Sequence, residues 1–324
     1  MAQTRSVRSL PVEYGPALVE EAVLLGARGF REEFEFRRSR DRIYLLPEGE
    51  ERERRFQEFH SVWFVRMRLG CPITEALEEQ PILLQRAGRC CIFPARSGLE
   101  EGADLHQWSA GKLEGSRPEK TILIRVKPAR LLEPSSLQSW LRHELMHVAD
   151  MLDPAFGYEP ECPANDAGPV AMNLLRERYR VLWDTWIDGR LFRRGWLPPG
   201  GREKRLEEFL ATFSAFGLNT TEKFDEVFRS DAQTHAGLIA FAQNSGTSSD
   251  PARLSEGRAQ PCPLCRFPTY QVLDGATELL TETILLIQAD FPDWRREHGL
   301  CPQCADLYRA MEMSRAAEAL LPGI

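Results

Sequence analysis

Apolar residues recur at helical spacing along much of the chain. Segments 16–27 and 51–69 have the spacing that places apolar side chains on one face of an amphipathic helix. Another helix is predicted to begin at a capping box formed by Ser135 and Gln138 and to end at Asp153. Helical spacing dominates again from about residue 170 and predicts four further helices: 170–192, 203–216, 222–229 and 231–243. Most of the protein is therefore predicted to be helical.

Three short segments between Gly, Pro and Ser breaks have a different pattern. Each carries alternating or β-branched apolar residues and predicts a strand: 88–95, 103–109 and 120–127. The run 121–126 (Thr-Ile-Leu-Ile-Arg-Val) has the strongest strand pattern. With the helices, these segments predict an α+β fold that contains a small sheet.

One stretch of the chain lacks apolar periodicity. Residues 242–260 are rich in Ser, Gly and other polar residues, which is typical of a linker. The chain has 324 residues, which exceeds the usual domain size of roughly 100–200 residues. We therefore predict a main domain over 1–241 and a small module over 261–324, joined by this linker.

Composition and charge narrow the class of protein. No apolar run approaches the roughly 20 residues needed to cross a bilayer. The first residues contain no apolar segment typical of a secretory signal. The net charge of −7 disfavours a nucleic-acid partner. We expect a soluble, cytoplasmic protein with neither a membrane nor a nucleic acid as its partner.

A metal-binding motif lies within the helix predicted to begin at Ser135. His143 and His147 are four residues apart, so both imidazoles lie on one helical face and can bind the same zinc ion. Glu144 lies beside them, where a general base for a water nucleophile is needed. This His-Glu-x-x-His arrangement resembles that of zincin-type metallopeptidases.

A catalytic zinc site needs a third protein ligand. The next histidine after the motif is His235, far along the chain, so a carboxylate is the better candidate. Asp184 and Asp188 in the following helix resemble the Glu-x-x-x-Asp element of gluzincin peptidases. The resemblance implies that Asp184 is the third ligand and that Asp188 orients a ligand histidine through its other ring nitrogen. Asp184 is one methylene shorter than the Glu of that element, and Glu177, two turns earlier, is the alternative ligand.

The resemblance covers the strand, the motif helix and the carboxylate helix, and it implies a zinc-dependent peptidase. It implies that the strand 121–126 is a sheet edge onto which an extended peptide adds. It also implies that Glu144 takes a proton from the zinc-activated water and returns it to the leaving amine. The residue that donates a hydrogen bond to the oxyanion is not assigned. The candidates are Tyr158, Tyr179 and His235. The alternative function is a non-catalytic zinc protein with a regulatory or protein-interaction role.

Four cysteines near the C terminus are paired at metal-ligand spacing. Cys262 and Cys265 form one Cys-x-x-Cys pair, and Cys301 and Cys304 form a second. Four thiolates can complete a closed tetrahedral zinc site, which is structural because no position remains for water. The segment between the pairs can hold a helix over about 276–290. We therefore predict a treble-clef-like or helix-inserted zinc knuckle.

The charge of this module bears on its partner. Residues 252–324 contain seven Arg, no Lys and ten acidic residues, a net charge of −3. The module thus lacks the basic surface that nucleic-acid binding requires. We expect it to stabilise the fold or to bind a protein partner. For the whole chain we predict two zinc ions, one catalytic and one structural, and a peptide or protein substrate.

Overall fold

The computed structural model is mainly helical, with a small mixed sheet and a four-cysteine cluster, so the predicted α+β class is confirmed. Contacts between Cα atoms divide the chain into two units, Met1–Tyr158 and Glu159–Ile324. Most of the predicted linker, 242–260, lies outside the described residues, so the domain boundaries drawn from it stay a prediction. The structure describes these residues: 10–108, 119–160, 169–213, 219–243, 260–265, 268–269, 272–274 and 279–319.

The first unit contains six described helices and a short 3₁₀ helix, Pro128–Leu132. The helices are α1 (Pro16–Ala27), α2 (Glu33–Tyr44), α3 (Glu50–Arg66), α4 (Cys71–Glu78), α5 (Pro81–Arg86) and α6 (Pro134–Leu152). The helices predicted over 16–27 and 51–69 correspond to α1 and α3. Helix α2 was not predicted, because its residues are mostly charged and only Phe36 among them is buried. The segment therefore has no apolar face in its sequence from which a helix could be predicted.

A four-stranded sheet lies in the same unit, in the order β1-β2-β4-β3. Its strands are β1 (Val12–Tyr14), β2 (Arg89–Pro94), β3 (Gly102–Trp108) and β4 (Glu119–Val126). Strands β1, β2 and β4 are parallel, whereas β3 runs antiparallel to β4 and places Ala103 opposite Ile124. The three predicted strands are confirmed. The prediction that 121–126 forms a sheet edge is wrong, because β4 is paired on both sides and β3 lies at the edge.

The hydrophobic core of this unit lies between the sheet and helix α6. In β4, Ile122, Ile124 and Val126 alternate toward the core and are fully buried. Leu141 and Leu145 on α6 are also fully buried and belong to the same cluster. Burying a leucine side chain contributes about 1.5–3 kcal/mol, so this packing fixes α6 against the sheet.

The second unit is built around one long helix, α7 (Pro169–Arg193). Residues 181–189 of α7 are all buried, and the next three helices pack against it. At Gly189 a Cβ atom would lie 1.9 Å from the carbonyl oxygen of Phe228, so glycine is required for this close approach. The remaining described elements are α8 (Gly201–Thr212), α9 (Thr220–Arg229), α10 (His235–Gln243), β5 (Gln260–Pro261), β6 (Pro268–Thr269), α11 (Thr281–Asp290), a short 3₁₀ helix (Arg296–His298) and α12 (Pro302–Ala319).

Among the described residues, no helix is both long enough and apolar enough to span a membrane.

Candidate metal centres

The two motif histidines lie on one face of α6, as predicted. His143 and His147 are half-buried, and their ring centroids are 5.1 Å apart. A ligand nitrogen of each ring lies within 4.8 Å of one from the other ring. The helix begins differently from the prediction: the N-cap is Glu133, without a capping side-chain hydrogen bond, so the predicted box at Ser135 is wrong.

Helix α6 is held by an ion pair in addition to its apolar face. Arg142 donates two hydrogen bonds to the carboxylate of Glu79, at 2.7 and 2.6 Å. Both side chains are about four-fifths buried, with exposures of 20% and 21%. A bidentate pair of this kind fixes direction as well as distance. It therefore restrains the rotation of the helix that carries the histidines.

Glu144 faces the edge strand of the sheet. The backbone N–H of Ala103 in β3 donates a hydrogen bond to Oε2 of Glu144, at 3.3 Å. An N–H that bonds a side chain of α6 points away from β4, so it lies on the side of β3 where no other described strand is paired. The general-base candidate and the sheet edge are therefore adjacent.

A second ion pair fixes the start of β3. Glu101 accepts hydrogen bonds from Nε and Nη2 of Arg130, both at 2.8 Å, and from the backbone N–H of Lys127, at 2.9 Å. The hydrogen bonds from Arg130 hold the pKa of Glu101 below its ordinary value. The Arg130 guanidinium also lies 5.2 Å from the ring centroid of Trp140, on α6. These contacts join β3, the 3₁₀ helix and α6, and sequence analysis did not identify them.

In the second unit, Asp184 and Asp188 both lie on α7 and are largely buried, with side-chain exposures of 9% and 7%. Oδ2 of Asp184 accepts hydrogen bonds from Arg180, at 2.8 Å, and from Arg205, at 3.1 Å. Arg205 also donates from Nε to Oδ2 of Asp188, at 2.6 Å. The four-residue spacing of Arg180 and Asp184 indicates their pairing, whereas Arg205 comes from α8 and gave no sequence signal.

Glu177, the alternative ligand, is in a more open position on α7. Its side chain is 53% exposed and forms hydrogen bonds with Arg180, the shortest at 2.7 Å. The more buried carboxylate, that of Asp184, has less freedom to move and is the better pre-placed ligand.

Two of the three candidate oxyanion donors are paired with each other. The hydroxyl of Tyr179 lies 2.7 Å from Nδ1 of His235, within hydrogen-bond distance. Burial lowers the pKa of His235. The structure thus joins Tyr179 and His235, and the role of oxyanion donor stays a prediction.

The four C-terminal cysteines form one compact cluster. Their Sγ atoms lie within 4.8 Å of one another, and the Cys262–Cys304 and Cys265–Cys301 distances are both 3.9 Å. A disulfide requires about 2.05 Å, whereas sulfurs bound to one tetrahedral zinc at about 2.3 Å lie about 3.8 Å apart. The cluster therefore has the dimensions of a tetrathiolate metal site.

The local structure of the cluster supplies further donors to its sulfurs. The backbone N–H of Cys301 points to Sγ of Cys262, at 3.3 Å, and that of Cys304 points to Sγ of Cys301, at 3.5 Å. Hydrogen bonding from Cys265 lowers the pKa of Cys262, and hydrogen bonding to Cys262 raises the pKa of Cys304. A bound cation would allow all four groups to ionise together.

Secondary structure positions the two cysteine pairs. The first pair follows β5 and precedes β6, which pair as an antiparallel hairpin. In the second pair, Cys301 directly precedes α12 and Cys304 lies in its first turn. Helix α11 lies between the pairs, as predicted.

The described residues thus contain two candidate ligand sets for metal ions. One consists of the four cysteines of the second unit, and the other of the two histidines of the first unit, His143 and His147. Asp184 stays the predicted third ligand of the histidines. The donor types differ: thiolates in the first set and imidazoles in the second. Compared with protein-family models, with curated proteins and with solved structures, the chain has no match.

Proposed function

We propose that this protein is a zinc-dependent peptide hydrolase of the zincin type. The observation that carries the proposal is the position of Glu144, which follows His143 on α6 and accepts a hydrogen bond from the edge strand at Ala103. A pair of metal-binding histidines, a carboxylate placed to act as a general base and a strand edge that can bind an extended peptide together support peptide hydrolysis. A structural metal site would need no base.

We assign the zinc to His143, His147 and Asp184. Two imidazoles and one carboxylate are a typical ligand set for a catalytic zinc, which keeps one further position open. The spacing of the two histidine rings fits a shared ion, as their ligand nitrogens lie within 4.8 Å. When bound, zinc supplies a Lewis acid that polarises the scissile carbonyl and lowers the pKa of water.

The edge of β3 provides the surface for an extended substrate. The N–H groups of Ala103 and Leu105 bond to carboxylates, those of Glu144 and Asp104, at 3.3 and 2.7 Å. A peptide lying along β3 would exchange these contacts for backbone hydrogen bonds. The exchange would release Glu144 from Ala103 as the substrate enters. This strand takes the role that the sequence assigned to 121–126.

Glu144 then transfers a proton from the attacking water to the leaving nitrogen. Its carboxylate accepts one proton from the attacking water, whose oxygen forms the new bond to the carbonyl carbon. The carbon–nitrogen bond of the peptide breaks, and Glu144 gives the same proton to the leaving nitrogen. The products are a carboxylic acid and an amine, and Glu144 ends as a carboxylate.

For the cysteine cluster we propose a structural zinc in a treble-clef-like module. A hairpin that carries the first pair, and a helix whose first turn carries the second, support this arrangement. The absence of a position for water in a four-thiolate site excludes catalysis there. Because the module is acidic, we propose that its binding partner is a protein.

The test is the substitution Glu144→Gln. Because the side chain does not bind the metal, this variant should keep its zinc and its fold, while peptide hydrolysis falls by about 10²–10⁴-fold. A mixed peptide library read by mass spectrometry measures cleavage without a known substrate. The matched control is Glu78→Gln, on an exposed residue of α4, which should leave cleavage unchanged.

Two results would decide against the proposal. Equal cleavage by wild type and Glu144→Gln would remove the peptidase assignment. If neither protein cleaves and the His143 site proves to have four protein ligands, the non-catalytic zinc protein is the better description.

A further inference from the structure

A network of charged side chains surrounds the two aspartates of α7. It contains two arginines and four carboxylates, and it extends from α7 to α8. Arg180 bonds Glu177, Asp184 and Glu208, and Arg205 bonds Asp184, Asp188 and Glu208. The formal charge of the set is −2, which favours a nearby cation.

Arg205 is the more buried of the two arginines, at 15% exposure against 46% for Arg180. A buried charge without a partner is costly, and the described partners of Arg205 are all carboxylates. The carboxylates that Arg205 contacts therefore fix its position.

The contacts of Arg205 are specific in the atoms they use. Its Nε contacts Oδ2 of Asp188, at 2.6 Å, while its Nη1 contacts Oδ2 of Asp184, at 3.1 Å. Arg180 contacts the same oxygen of Asp184, at 2.8 Å. Two donors on one oxygen fix the plane of the carboxylate.

We propose that Arg205 is a positioning residue that holds the carboxylate of Asp184 in place as a metal ligand. The inference rests on the proposed function, which assigns Asp184 to the zinc. An aspartate has a shorter reach than the glutamate of the gluzincin element, so its orientation has less tolerance. Arg205, on α8, limits the orientation of the Asp184 carboxylate. It also links Asp188 to that carboxylate.

The experiment measures metal affinity at the histidine site of the full-length protein. The labile metal is removed with a chelator and replaced by Co²⁺, whose visible absorption reports its ligands. Loss of this signal in His143→Ala identifies the site. We expect Arg205→Gln to weaken Co²⁺ binding about 10–100-fold, as expected when the partner of a metal ligand is lost.

Two variants separate positioning from general destabilisation. Arg202→Gln makes the same change on α8 and removes an ion pair with Asp225, at 2.8 Å, so it should change Co²⁺ affinity less than about twofold. Arg205→Lys keeps the positive charge but cannot contact both aspartates with one planar group, so it should restore affinity only in part.

A double-mutant cycle tests the route of the effect. Asp184→Asn keeps a neutral oxygen ligand, which Asp184→Ala does not, so a weaker Co²⁺ affinity can still be measured. If Arg205 acts through Asp184, adding Arg205→Gln to Asp184→Asn should weaken binding no further. Additive losses, or unchanged affinity in Arg205→Gln, would overturn the inference while the histidine site stands. Co²⁺ binding that His143→Ala does not affect would overturn the proposed function itself. Should Arg205→Gln fail to fold, the Arg205→Lys cycle with Asp184→Asn gives the same decision.

Discussion

The choice of third ligand depends on the individual carboxylates of α7. Glu177 has the longer side chain but is 53% exposed, whereas Asp184 is 9% exposed and bonded by two arginines. A preorganised ligand loses less conformational freedom when it binds a metal. Burial therefore favours Asp184, although its side chain is the shorter one.

Alanine substitutions test this assignment directly. Asp184→Ala should remove the labile zinc, because a three-ligand site loses its only anionic ligand. Asp188→Ala should weaken binding about 10–100-fold, as the loss of an orienting group does. Zinc content after dialysis measures both effects. Normal zinc content in Asp184→Ala, with loss in Glu177→Ala, would transfer the assignment to Glu177.

At the level of elements, the site in the first unit depends on how β3 is fixed to α6. The Glu101–Arg130 pair joins the start of β3 to the 3₁₀ helix, and Arg130 also contacts Trp140 on α6. The side chain of Glu101 is only 5% exposed, so the pair is largely shielded from water. Such a pair contributes more than an ion pair on the surface.

This pair predicts a pH-dependent stability. At neutral pH, Glu101→Gln should lower the free energy of unfolding by about 2 kcal/mol, typical for a hydrogen bond to a charged group. The pKa of Glu101 is lowered in the folded protein. Its stabilisation is therefore complete above the ordinary carboxyl pKa and is lost as the pH falls through the lowered folded value.

Denaturant unfolding of wild type and Glu101→Gln over an acid pH series measures the difference. Glu78→Gln serves as the control and should match wild type throughout. A Glu101→Gln difference that stays constant from neutral to acid pH would show that the ionised carboxylate is not what the pair stabilises.

For the whole molecule, the chemistry of the two ligand sets predicts different metal behaviour. The four cysteines of the cluster are only 0–1% exposed, so a metal bound by their thiolates would be closed off from water. The histidines are half-buried, which leaves solvent access. A metal ion at a site open to water dissociates faster than one enclosed by four buried cysteines.

We expect about two zinc ions per chain when the protein is purified without a chelator. A mild chelator should remove one and abolish peptide hydrolysis, leaving the thiolate-bound ion in place. Elemental analysis of His143→Ala and Cys262→Ser assigns each ion to its site. About one zinc per chain that persists in Cys262→Ser and disappears in His143→Ala would contradict a structural zinc.

Local patterns in the sequence determined which residues carry chemistry. Helix geometry places His143 and His147 on one face of the same helix. A tight turn places the thiols of Cys262 and Cys265, which are three residues apart, close to each other. Both depend on residues within a few positions of each other. The α+β class and most element positions likewise follow from the periodicity of apolar residues.

Tertiary structure alone decided how these elements meet. The edge position of β3, the contact of Ala103 with Glu144 and the bridge from Arg205 to Asp184 all join residues far apart in the chain. Strand order depends on which long-range pairing buries the most apolar surface, and periodicity within a strand is the same at the centre and at the edge. The sequence therefore contained the motif of His143, Glu144 and His147, and folding determined that β3 is the strand beside it.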